Sequence, residues 1–347
     1  MVEREYDLDI LRVAGSFAVV WLHVSGGVLV DTSRGMDFSW WVGNLANAMS
    51  YWCVPVFVMV SGALLLSRPL VDNPVVILKH RLARLAVPLV IWTVFYTLLA
   101  WVSSHGVIDF RSTLKGILRG MPVTGFHLWY LYMCVGLYTL APLVCIFIEA
   151  VPRNMVKYTL LIGFLMASIE GVVSLSCGTP VASTFLGLCV PYTPYFIAGV
   201  LLRRLHINSG RTRLLLLAAV SCGVLIAVGT AALLPVMNKP WAVLHGYLNP
   251  LVIVMAICVY MVVTQEPASR MCNNRMFQKL VRYVAPFTLG VYVLHPFCLQ
   301  VLSRLEINAW FGTPIIGIPV TTILAFSLSV ALGRIIGMLP FIRRSVM

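Results

Sequence analysis

Long apolar runs separated by short polar connections set the character of the chain. Ten runs are of a length that crosses a bilayer, about 20 residues each. They fall at about 8–30, 41–66, 85–103, 127–149, 156–176, 185–202, 214–236, 242–264, 286–304 and 316–340. The pattern predicts an all-α polytopic membrane protein with about ten transmembrane helices, forming a single domain over 1–347 with no fused soluble domain. Pro55 inside the second run predicts a kink there. The connection 104–126 is mixed rather than polar, and Leu114, Ile117 and Leu118 predict a short amphipathic helix at the membrane surface. The first run is too long for the apolar core of a signal peptide and no small-residue cleavage site follows it, so it reads as the first span.

Composition agrees with this pattern. Hydrophobic residues make up 60% of the 347 and charged residues 11%, against roughly 25% charged in a soluble domain. The formal net charge of +13 suggests a nucleic-acid partner until its placement is considered. Arg68, Lys79, Arg81, Arg84, Arg153, Lys157, Arg203, Arg204, Arg211, Arg213, Arg270, Arg275, Lys279 and Arg282 fall in the even-numbered connections. The odd-numbered ones hold only Arg34, Arg111, Lys115, Arg119 and Lys239. That asymmetry is the positive-inside bias: it places both termini in the cytoplasm and argues against nucleic acid as a partner. The nine cysteines lie mostly within apolar runs and lack metal-ligand spacing, so no metal site is expected.

The informative residues are the polar ones inside the runs. A charge near the bilayer centre costs at least ~2.5–3.5 kcal/mol, so such residues carry function by default. The first run holds Asp9, Arg12 and His23. Arg12 and His23 are eleven residues apart, about three turns and roughly 16 Å of rise, so both project from one face. Asp9, three residues before Arg12, can pair with it on that face. With the N-terminus inside, Arg12 lies near the inner surface and His23 in the outer half. Glu170 on the fifth run reaches a depth like that of His23. His127 opens the fourth run beside Trp129, and His295 lies within the ninth, one turn after Tyr292 and next to Pro296. The outer half thus gathers imidazoles and a carboxylate, and the inner half gathers Arg12, Arg81 and Arg84.

This layout suits two substrates arriving from opposite sides. An imidazole kept out of water is held uncharged, the form a general base needs, and a carboxylate such as Glu170 can orient it. Arginines at the cytoplasmic mouth hold phosphates by charge-assisted hydrogen bonds. Blander readings stand beside these. His23 and Glu170 also serve as interhelical polar contacts, His127 as an interfacial residue, His295 as a cap for the helix at Pro296, and Arg81 and Arg84 as topology anchors.

Motif by motif, the chain resembles the membrane-bound acyltransferase 3 family, which O-acylates sugars of bacterial surface glycans. The resemblance rests on Asp9-Ile-Leu-Arg12 through His23, Ser61-Gly-Ala-Leu-Leu65, Arg81-Leu-Ala-Arg84 with Pro88, and His127-Leu-Trp-Tyr-Leu131 with Tyr138 to Pro142. Tyr195-Phe-Ile-Ala-Gly199 and Tyr292-Val-Leu-His295-Pro296 complete it, so it covers nearly the whole chain. The short members acting on enterobacterial N-acetylglucosamine-containing glycans look most similar. The resemblance implies an O-acetyltransferase of the bacterial inner membrane, with acetyl-CoA as donor and a surface glycan or lipid-linked saccharide as acceptor. It implies His23 as base or transient acyl carrier, Arg12 as support for it or for the donor, and Arg81 and Arg84 on the CoA phosphates. Lacking a fused extracytoplasmic domain, the chain either completes transfer itself or passes the acyl group to a partner transferase. Glu170 as a third catalytic residue, and Asp9, His127, Trp129, Tyr292 and His295 as acceptor-binding or lining residues, come from the residue pattern. A secondary transporter or flippase for a glycan or amphipathic solute is the rival reading, with buried charges marking a coupling-ion path; a membrane sensor is a third.

Overall fold

The computed structural model describes residues 5–66, 74–104, 109–119, 124–177, 188–203, 205, 209–237, 244–265, 274–339 and 342–347. Among the described residues the protein is helical, with no strand. In chain order the helices are α1 (Tyr6–Leu29), α2 (Phe38–Ala48), α3 (Cys53–Leu66), α4 (Pro74–Ser103), α5 (Phe110–Arg119), α6 (Trp129–Ala150) and α7 (Arg153–Cys177). They continue with α8 (Thr193–Arg203), α9 (Ser209–Leu233), α10 (Pro250–Gln265), α11 (Arg275–Val284), α12 (Thr288–Arg304) and α13 (Pro314–Gly337). Among the described residues, seven stretches of helix are long and apolar enough to cross a membrane: Tyr6–Leu29, Phe38–Leu66, Arg81–Ser103, Phe126–Ala150, Gly210–Leu233, Arg275–Arg304 and Pro314–Gly337. Pro250–Gln265 is apolar but shorter. The amphipathic segment expected between the third and fourth spans is present as α5.

Several elements differ from the sequence expectation. The second run is two helices, and the break falls at 49–52, before Pro55. Pro55 sits in the first turn of α3, where its missing N–H is not needed. Polar side chains account for the break. Asn47 donates to the α1 carbonyl of Leu22 at 2.8 Å, Asn44 to Ala227 of α9 at 2.8 Å, and Ser50 turns back onto the Asn47 carbonyl at 2.7 Å. The third helix begins at Pro74 rather than near 85, so Arg81 and Arg84 stand on a helix and not in a loop. Proline is well tolerated in a first helical turn, and nothing between it and Pro88 interrupts the helix. The sixth helix is only 11 residues long, entered through a turn at Val190–Tyr192 that carries Pro191; the beginning of that run lies outside the described residues. The eighth starts at Pro250 rather than at 242, where the Asn249 side chain accepts from the Leu251 amide at 2.9 Å. Lys79, Arg119 and Arg204 likewise fall outside the described side chains.

α1 occupies the centre of the bundle, packed against α2, α3, α12 and α13. Beside it α3 and α8 meet backbone to backbone. A Cβ on Gly62 would lie 1.8 Å from the Phe196 carbonyl oxygen, and one on Gly199 would lie 1.9 Å from that of Met59. Small residues permit this approach between membrane helices. The two stretches Ser61–Leu65 and Tyr195–Gly199, distant in sequence, are therefore opposite sides of one seam. Tyr260 of α10 fastens it by donating its hydroxyl to the Gly199 carbonyl at 2.7 Å. The C-terminal segment folds back into the bundle: Trp92 donates to Ser345 O at 3.0 Å and Gly290 N to Val346 O at 3.0 Å.

Candidate active site

Two cavities lie along α1. The larger, of about 460 Å³, is lined by Arg12, Arg81, Arg84, Ser61 and Tyr138, with Met347 and Thr288 at its edge. Arg12 projects into it from the first third of α1 and is held by Asp9 one turn earlier, Nη1 to Oδ1 at 3.6 Å. Asp9 itself is buried and does not line the space. Arg81 and Arg84 enter from the early turns of α4, and Ser61 is placed by the α3–α8 seam. Three guanidinium groups facing one cavity make a site for an anion with several oxygens.

The smaller cavity, of about 40 Å³, is lined by His23, His127 and Trp129 together with Tyr247, Phe126 and apolar residues of α1 and α3. His23 comes from the last third of α1. Its ring stacks on that of His295, centroids 5.0 Å apart and planes 29° from parallel. His127 stands edge-on to His295 at 5.6 Å and to Tyr96 at 4.8 Å. Three imidazoles from α1, α12 and the turn Phe126–Leu128 therefore form one cluster. Gly125, at φ 72°, provides the left-handed bend that starts that turn.

The protonation pattern of His295 follows from its neighbours. Its Nδ1 lies 3.1 Å from the Val291 carbonyl, an acceptor only, so Nδ1 carries the proton and donates. The bond stays within its own helix, but it goes to Val291 and not to Tyr292, the carbonyl that Pro296 leaves free, so it is not the bond the capping reading needs. Yet Nε2 of His295 and both ring nitrogens of His127 are buried with no hydrogen-bond partner. Buried polar atoms are nearly always paired, and clustered exceptions mark a place where a polar ligand or water belongs. Tyr292 braces the cluster, its hydroxyl donating to the His127 carbonyl, while Tyr96 donates to Val293 O at 2.7 Å. Among the described residues no group of His, Cys, Asp and Glu has the arrangement of a metal site.

The structure brings Arg12, Arg81 and Arg84 to one cavity and His23, His127 and Trp129 to the other, with His295 stacked behind His23. Tyr292 lines both. Glu170 joins neither: it is exposed on α7, so the carboxylate expected beside His23 is not supplied from there. Sequence reasoning passed over Phe57, Tyr130, Tyr247 and His245. Phe57 is one turn before Ser61 on the same face of α3, and Tyr130 adjoins Trp129, so both were within reach of a periodicity argument. His245 lay within the eighth apolar run as an intramembrane histidine, and that signal was passed over; it is 3% exposed and bonded to Asn47 Oδ1 at 2.8 Å and Thr230 Oγ1 at 3.0 Å. Asn47 also reaches the Leu22 carbonyl and Ser25 Oγ, so this network grips α1 at the turn that carries His23.

No curated protein and no solved structure matches the chain. The family model described as an acyltransferase domain matches residues 5–334, a range that takes in the residues lining both cavities apart from Met347. The chain thus belongs to the membrane acyltransferase family that its motifs resemble.

Proposed function

We propose that this protein is an O-acyltransferase of the bacterial inner membrane that moves acetyl from cytoplasmic acetyl-CoA to a hydroxyl of an extracytoplasmic glycan or lipid-linked sugar. The observation that carries the proposal is the pairing, along one helix, of an arginine-lined cavity with an imidazole-lined one that shares its walls. In this reading Arg12, Arg81 and Arg84 hold the CoA phosphates. His23 takes the proton of the acceptor hydroxyl, whose oxygen attacks the thioester carbonyl. The C–S bond breaks and the departing sulfur recovers the proton from the imidazolium. His295, with Nδ1 committed to Val291 O, presents its unshared Nε2 pair to the same cluster and stacks on the ring that changes charge. His127, Trp129 and Tyr292 shape the acceptor side, and Asp9 holds Arg12. The reading needs the arginine-lined cavity to open to the cytoplasm; ten spans with both termini cytoplasmic is the topology proposed for it, and the distribution of arginine and lysine supports that side.

The test is direct. Membranes containing the protein are incubated with acetyl-CoA labelled in the acetyl group, and glycan is extracted and counted. Label in the glycan that depends on the protein is expected. A transporter or flippase leaves none.

A further inference from the structure

Phe57, Tyr130 and Tyr292 line both cavities, so a group passing from the arginines to the imidazoles passes between these three rings. Tyr130 stands between the other two, 6.1 Å from Phe57 and 5.4 Å from Tyr292 by ring centroids. Tyr292 is tied down by its bond to the His127 carbonyl. Phe57 has no polar anchor. It lies across α1 at Gly15, where a Cβ would meet its ring at 3.0 Å. Beyond the rings, the space beside His23 is about 40 Å³, and one water needs about 10–15 Å³ of such space. It therefore takes about three atoms of that size. An acetyl group has three heavy atoms, a butyryl group five and a succinyl group seven. Among the described residues the wall of this space holds imidazoles, aromatic rings and aliphatic side chains, and no arginine or lysine. A carboxylate brought there would be stripped of water with no cation to meet it.

We propose that Phe57, Tyr130 and Tyr292 form a partition that selects the acyl group, admitting a short uncharged one to His23 and refusing longer or anionic ones. Phe57 is the length-determining residue, because it is the ring of the three that carries no polar group to anchor it. The inference rests on the reading above that a CoA thioester delivers its acyl group to the histidine cluster.

The experiment uses membrane vesicles carrying the full chain and labelled acetyl-, butyryl- or succinyl-CoA, with label counted in extracted glycan. The wild-type protein is expected to use acetyl-CoA at least about tenfold faster than either other donor, since each methylene misfit in an apolar pocket is worth roughly 10–200-fold. Phe57→Ala should raise the butyryl-to-acetyl ratio about tenfold or more and leave succinyl-CoA excluded. Phe57→Leu should shift the same ratio less, and it serves where the alanine variant does not accumulate. Equal use of the three donors by the wild type, or an unchanged ratio in both variants, overturns the partition. No label from any donor with the wild type defeats the transferase reading itself, which is a separate result.

Discussion

Adding one methyl group at the α3–α8 seam is the severest small change the structure allows. An alanine Cβ at position 62 would start 1.8 Å from the Phe196 carbonyl oxygen and 2.7 Å from its carbon. Real Cβ atoms essentially never come within 3.0 Å of such a neighbour, so the helices must part by at least about 1.2 Å. The obstacle is backbone on both sides and no rotamer relieves it. Overpacking a core typically costs ~1–3 kcal/mol, and a backbone clash belongs at or above the upper end. At ~2–4 °C per kcal/mol, scaling from soluble domains, 3 kcal/mol lowers the unfolding midpoint by roughly 6–12 °C. Thermal unfolding of purified Gly62→Ala in detergent, followed by loss of the monodisperse peak on size exclusion, reads this out. Gly27→Ala is the internal control: nothing lies within 4 Å of its Cβ, and alanine gains up to ~1 kcal/mol of helix propensity over glycine. A Gly62→Ala midpoint within 2 °C of wild type, with Gly27→Ala equal to it, would refute the close approach of the two helices.

Three further outcomes are expected. Arg81→Ala/Arg84→Ala should raise the KM for acetyl-CoA by about tenfold or more, on the ~1.5–3 kcal/mol of a hydrogen bond to a charged group, while His23-dependent turnover at saturation changes less; an unchanged KM removes the phosphate assignment. Asn47→Leu leaves His245 Nδ1 without its partner, at ~1–3 kcal/mol for a buried group left unsatisfied, removes the amide's bonds to Leu22 O and Ser25 Oγ, and should lower both the unfolding midpoint and the transfer rate. Glu170→Gln, at an exposed position on α7 outside both cavities, should transfer acetyl at the wild-type rate; a loss of tenfold or more would return that carboxylate to the site.

The hydrophobic pattern was enough to reveal α1, α6, α7 and α13, because each is one long run in which apolar residues outnumber the polar ones. It failed where polar side chains inside an apolar run take tertiary partners. Asn44 and Asn47 lie within the single run 41–66, yet their side chains bond to α9 and α1 where that run divides into α2 and α3. It failed again at α4, where basic residues suggested a loop but have no power to stop a helix. For the candidate site, the one-face spacing of Arg12 and His23 was legible from helix geometry alone. The stacking of His295 on His23 was not, since it depends on how α12 packs against α1. For Glu170, depth along the helix follows from residue number, but the direction the side chain faces is set by the neighbours of α7.

The central claim is that His23 performs acyl transfer from a thioester held below it, and the labelled acetyl-CoA assay on His23→Ala tests it most directly. The account predicts that this variant inserts and unfolds within about 2 °C of wild type and incorporates label into glycan 10²–10⁴-fold more slowly, roughly the factor a general base contributes. A well-folded His23→Ala protein that labels glycan at the wild-type rate contradicts it.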